Sequence, residues 1–183
     1  MTNNEIALKR TKNWLEDFVL GLNLCPFARH PFRNEKVHYV VYEGDNLENL
    51  TQIVVKELDF LNRVTPAVVE TTIIILLDAL KDFDEYLDFL EVVEFVVEKL
   101  DMDAAFQIAS FHPKYQFDGT DETDAENYTN RSPFPMLHLL REDSVTRAVE
   151  AFPEVGDIPA RNIQTMNDLG LLKIKEMLNA IKR

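Results

Sequence analysis

From about Asn4 to Leu20 the apolar positions Ala7, Thr11, Trp14, Leu15 and Phe18, with Leu22 just beyond, recur at helical spacing and predict an amphipathic helix. Gly21 supplies its stop. LNLCPFARHPF follows, with two prolines, and reads as a loop that packs apolar side chains. Val37 to Tyr42 alternates and is rich in β-formers, which predicts a strand. EGDN turns the chain, and Asp45 with Glu48 forms a capping-box signature for a helix whose apolar face is Leu50, Ile53, Val54, Leu58 and Leu61. Glu70 to Leu77 is an unbroken apolar run, as expected of a central strand covered on both faces. Asp82 with Glu85 repeats the capping signature. The helix after it carries Phe83, Tyr86, Leu87, Leu90, Val93, Val97 and Leu100 on one face.

Ala104 to Phe111 and Met136 to Leu140 read as the third and fourth strands. A helix from about Asp143 to Phe152, stopped by Pro153, and a last helix from about Thr165 to Ile181 complete the chain. Gly170 falls inside that last helix at a cost of ~1 kcal/mol relative to alanine. The order α-β-α-β-α-β-β-α-α implies crossovers and a sheet that is at least partly parallel. It predicts an α/β (α+β) fold: a two-layer sandwich of a small mixed sheet with helices, ferredoxin-like, with an extra N-terminal helix. No linker or repeat divides residues 1–183, so a single domain is expected.

Composition narrows the function classes. The 183 residues carry a net charge of −13, which disfavours nucleic acid and anionic membrane surfaces as partners. The longest apolar run, IIILL, is of strand length and far short of a membrane span. The N-terminus lacks the apolar core of a secretory signal. Cys25 is the single cysteine, so no internal disulfide forms, and a reducing, cytoplasmic setting is the simplest expectation.

Phe106 to Arg141 departs from core-and-helix patterning. It reads FQIASFHPKYQF, then the acidic DGTDETDAE, then NYTNRSPFPMLHLLRE. A mere connection needs no such inventory of histidines, arginines, amides and hydroxyls. His112 ends a strand, where ligands of α/β sheets tend to sit, and is a candidate acid or base; capping the loop is its alternative role. His138 alternates with Met136 and Leu140 on one strand face, as a core histidine or a partner of His112. Cys25 is a candidate nucleophile. Its place just past a helix C-terminus disfavours a thiolate, and burial as a small hydrophobe is the plainer reading. Arg131, Arg141 and Lys114 are cations suited to a carboxylate or phosphate, or to pairing with Asp121, Glu122, Asp124 and Glu126. Tyr115, Asn130 and Ser132 can line a pocket or anchor the loop. His112 and His138 need a third ligand to hold zinc or iron, with Cys25, His30 and Glu70 as candidates; metal and cofactor stay open. Five scattered glycines form neither GxGxxG nor a Walker loop, and neither GxSxG nor HExxH occurs.

GLNLCPFA at Gly21 to Ala28, ETT at Glu70 to Thr72, QIASFHPKYQF at Gln107 to Phe117, NYTNRSPFPMLHLLRE at Asn127 to Glu142 and IPARNI at Ile158 to Ile163 together resemble the bacterial and plastid family called domain of unknown function 1415. The resemblance covers nearly the whole chain. It implies that Cys25, His112, Pro113, Tyr115, Asn130, Arg131, Ser132, His138 and Arg141 belong to the family pattern, and it carries no established activity. The combined expectation is a small enzyme acting on an anionic small molecule, in a His/Arg-lined pocket formed by residues 106–141. The alternative is a non-catalytic module that binds a metabolite or a protein.

Overall fold

The computed structural model describes residues 1–151 and 155–181. The first helix, α1 (Asn3–Asn13), is started by Thr2, whose hydroxyl accepts the amide of Glu5 while the Glu5 carboxylate accepts the amide of Thr2. It runs on without a break into a π-helical stretch, Trp14–Leu20. The wider π turn brings Trp14, Leu15, Phe18, Val19 and Leu20 all into the core. Gly21 keeps right-handed helical angles, and its role is space, because a methyl group there would run into the carbonyl of Asp17. The reversal comes at Asn23, with φ 54°, and Leu24 closes the end by donating to the Val19 carbonyl at 2.9 Å.

A 3-10 turn (Pro26–Ala28) and the short α2 (Arg29–Arg33) lead to β1 (Val37–Tyr42). Then come α3 (Leu47–Arg63), β2 (Thr71–Leu76), α4 (Phe83–Lys99), β3 (Phe106–Phe111), a 3-10 turn (Ala125–Thr129), β4 (Met136–Arg141), α5 (Glu142–Glu150) and α6 (Ile158–Ile181). The cap of α3 is Asn46, which accepts the amide of Asn49, and not the expected Asp45. Asp82 does cap α4. On α4 the buried residues are Tyr86, Phe89, Val93 and Val97, while Leu87 and Leu100 lie outside. The last helix begins at Ile158, before the expected Thr165, and bends at Gly170, whose φ 72° and ψ 153° are non-helical. The helix stop expected at Phe152 and Pro153 lies outside the described residues.

The four strands form one mixed sheet in the order β1, β2, β4, β3. β1 and β2 are parallel, and β4 runs antiparallel between β2 and β3. The α+β class with an N-terminal helix is as expected; the arrangement differs in two respects. The element order from β1 to β4 is βαβαββ, where a ferredoxin-like fold has βαββαβ. There are also three layers rather than two. Ile74, Leu76, Leu137 and Leu139 pack under α3 and α4. Ile73, Ile75 and Met136 face the opposite way, against α1, the π stretch and α6. Strand alternation makes both faces of β2 apolar, and every residue of β2 is buried. Among the described residues no helix is long and apolar enough to cross a membrane.

Candidate functional site

Antiparallel pairing sets Ile73 and Ala109 on either side of His138. The alternation that turns Ile73 and Met136 toward the α1 side of the sheet turns Thr71, Gln107, Ala109, Leu140 and His138 the same way. Over them lie the Cys25–Pro31 segment and α5, and between these elements is a cavity of about 540 Å³. Its wall is largely apolar, with Phe27, Ala28, Phe111 and Val145 among the residues that form it. Cys25, His138, Gln107, Ser144 and Arg147 supply polar groups, and His30 and Glu70 stand 3.5 Å apart at its edge. An apolar hollow with few convergent polar groups is the usual form of a small-molecule site.

His138 is held in one tautomer. Thr71 Oγ1 lies 2.6 Å from the carbonyl oxygen of Leu139 and 2.7 Å from His138 Nε2. A hydroxyl has one proton, and a carbonyl can only accept. Thr71 therefore donates to Leu139 and accepts from Nε2–H. The lone pair is left on Nδ1, which bonds no described residue. Burial lowers the pKa of this imidazole to about 4, so the ring is neutral at pH 7.

Cys25 lines this cavity and also a neighbouring one of about 520 Å³, between the π stretch, Asn130 and Asn162. The sequence places Cys25 past a helix C-terminus; in space it also precedes the 3-10 turn Pro26–Ala28. Burial raises its thiol pKa, and the amides of Ala28 and Phe27 act in the opposite direction. Thiol and imidazole in one cavity are thus both kept neutral.

Of the other expected site residues, Arg141 alone borders this cavity. His112 is fully buried at the opposite end of the sheet. Its Nε2 donates to the Leu80 carbonyl at 3.0 Å and its Nδ1 accepts the Lys114 amide at 3.0 Å. The ring packs against Phe83 and Tyr86, and burial lowers its pKa. With both nitrogens bonded to backbone, it serves the loop-capping role. Arg131 gives Nε to the Tyr115 carbonyl at 3.0 Å and Nη2 to the Glu122 carbonyl at 2.9 Å. Arg141 borders the cavity, but its Nη2 lies within reach of the carbonyls of Leu61, Val64 and Val69 at 2.6, 2.7 and 3.2 Å, so its charge fastens the end of α3. Among the described residues neither arginine forms an ion pair with a carboxylate of the acidic loop; Arg131 meets that loop only at the Glu122 carbonyl. Asn130 donates to the Ser110 carbonyl and so ties the loop to β3, and Ser132 Oγ donates to the Phe134 carbonyl within the loop. Lys114 contributes its amide to His112, and the ring of Tyr115 stacks edge-on with Phe117.

Sequence reasoning passed over Thr71, Gln107, Ser144 and Arg147. Only Thr71 carried a signal, as a hydroxyl at the mouth of an apolar strand. His112 and His138 do not converge, and no three His, Cys, Asp or Glu side chains among the described residues are grouped to hold a metal ion.

No curated protein and no solved structure matches the chain. One family does, over residues 6–176 of 183, and by that match the chain belongs to the family described as Protein of unknown function (DUF1415).

Proposed function

We propose that the protein is a small enzyme acting on an anionic molecule with an apolar body, bound in the cavity between the sheet, the Cys25–Pro31 segment and α5. The observation that carries this reading is that Cys25 and His138, far apart in sequence, line one cavity together with Arg147. Among the described residues Arg147 bonds Ser144 Oγ alone, through Nη2 at 3.1 Å, and has no carboxylate partner, which leaves its charge for a ligand. His138 Nδ1 is a neutral base on the cavity wall, suited to take a proton from the thiol or from a bound substrate. This role falls to His138 and not to His112, whose nitrogens are both engaged.

The raised thiol pKa favours a second reading, a non-catalytic pocket that binds a metabolite. Alkylation of Cys25 separates the two. In the first reading, iodoacetate modifies Cys25 faster than iodoacetamide does, after correction for their rates with free cysteine. Arg147→Gln removes that preference, and His138→Ala slows both reagents. A thiol inert to both reagents in the folded protein, while small carboxylates still raise the melting temperature, sinks the enzyme and leaves the binding pocket.

A further inference from the structure

Arg131 is 8 % exposed, and no carboxylate among the described residues stands within ion-pair distance of it. A guanidinium is charged at every accessible pH, and a buried charge is ordinarily paired. Here two of its nitrogens meet main-chain carbonyls, of Tyr115 and Glu122, and its flat face lies 4.3 Å over the Tyr128 ring. These dipoles and the ring offset part of the desolvation cost and supply no counter-charge. Nη1 bonds no described residue.

The side chain borders a hollow of about 260 Å³ whose wall also includes Pro113, Tyr128, Ser132, Lys175 and Asn179. Among the described residues no acidic one lines it. Lys175, on α6, likewise has no ion pair among the described residues. Two cations without a carboxylate partner among the described residues thus border one small hollow in a chain of net charge −13. The hollow shares no lining residue with the Cys25–His138 cavity.

We propose that this hollow binds an oxyanion of phosphate size, with Arg131 Nη1 and Lys175 Nζ as its charged donors and the Asn179 amide as a neutral one. Arg131 is already fixed by its carbonyl partners and by Tyr128, so little rotamer freedom is lost when the anion arrives. Ser132 contributes no donor, because its proton goes to the Phe134 carbonyl at 2.6 Å.

The test is titration of the full chain with inorganic phosphate in chloride buffer at constant ionic strength, followed by calorimetry and by melting temperature. Phosphate is expected to bind and to raise the melting temperature of the wild type. Lys175→Glu alters an exposed helical residue and leaves the fold intact; it should weaken phosphate binding by about tenfold or more. Glycerol 3-phosphate identifies the source. Tighter binding than inorganic phosphate assigns the site to the phosphoryl group of a metabolite, and equal binding assigns it to the free ion. Absence of heat and of any melting shift in the wild type overturns the proposal. So does a Lys175→Glu variant that binds phosphate as the wild type does.

Discussion

Thr71 Oγ1 accepts a hydrogen bond from His138 Nε2–H at 2.7 Å and donates its own to the Leu139 carbonyl at 2.6 Å. One hydroxyl thereby decides which imidazole nitrogen faces the cavity as a base. Thr71→Val keeps the shape of the strand and removes the relay. It should destabilise the protein by ~1–2 kcal/mol and leave His138 as a mixture of tautomers. Thr71→Ser should keep the Nε2–H form. Imidazole nitrogen chemical shifts report this directly, and a single Nε2–H tautomer in the valine variant would contradict the assignment.

His138 also sets an acid dependence. Its folded pKa of about 4 lies below the ordinary 6.5, so the unfolded chain binds the extra proton first. Stability associated with the neutral ring is complete above pH 6.5, falls as the pH drops from 6.5 toward 4, and is gone below that. The loss has an upper bound of ~3 kcal/mol. His112, also shifted down, adds to it in the same direction. Denaturation midpoints measured between pH 7 and pH 4 should fall steadily, and His138→Gln should flatten the slope.

Removing His112 should have a different consequence from removing His138. His112→Ala deletes two backbone hydrogen bonds and a ring packed against Phe83 and Tyr86. A loss of ~2–4 kcal/mol is expected. Below its melting temperature the variant should alkylate at Cys25 as the wild type does. A stable His112→Ala with altered Cys25 chemistry would reverse the roles given to the two histidines.

Gly170 offers a test with opposite signs. In a straight helix, alanine would stabilise by ~1 kcal/mol. At φ 72° and ψ 153° the backbone lies in a region essentially reserved for glycine, although nothing lies within 4 Å of an added Cβ. Gly170→Ala should therefore destabilise by ~1–3 kcal/mol, read from chemical denaturation.

Trp14 ties the N-terminal layer to the long loop, since its Nε1 donates to the Arg131 carbonyl at 3.1 Å inside the core. Trp14→Phe should cost ~1–3 kcal/mol and speed proteolysis between residues 112 and 135. Unchanged proteolysis would mean that Arg131's own bonds suffice to hold the loop.

Local pattern was enough for much of this protein. The alternation in Val37–Tyr42, the apolar run of β2, the Asp82 cap and the helical spacing of α3 and α4 are written in neighbouring residues, because strand and helix periods are local properties. Local sequence also marked Cys25, His138, Arg131 and His112 as unusual. It could not decide what each one meets. His112 and His138 look alike as lone histidines beside strands, yet one spends both nitrogens on backbone and the other keeps one free. Three layers in place of two, the pairing of β4 between β2 and β3, and the gathering of Cys25, His138 and Arg147 around one cavity depend on contacts between residues distant in the chain. The bend at Gly170 belongs with them, since a glycine suits a straight helix poorly and a break well, and the burial of Met166 and Ile174 on either side of it is a tertiary matter.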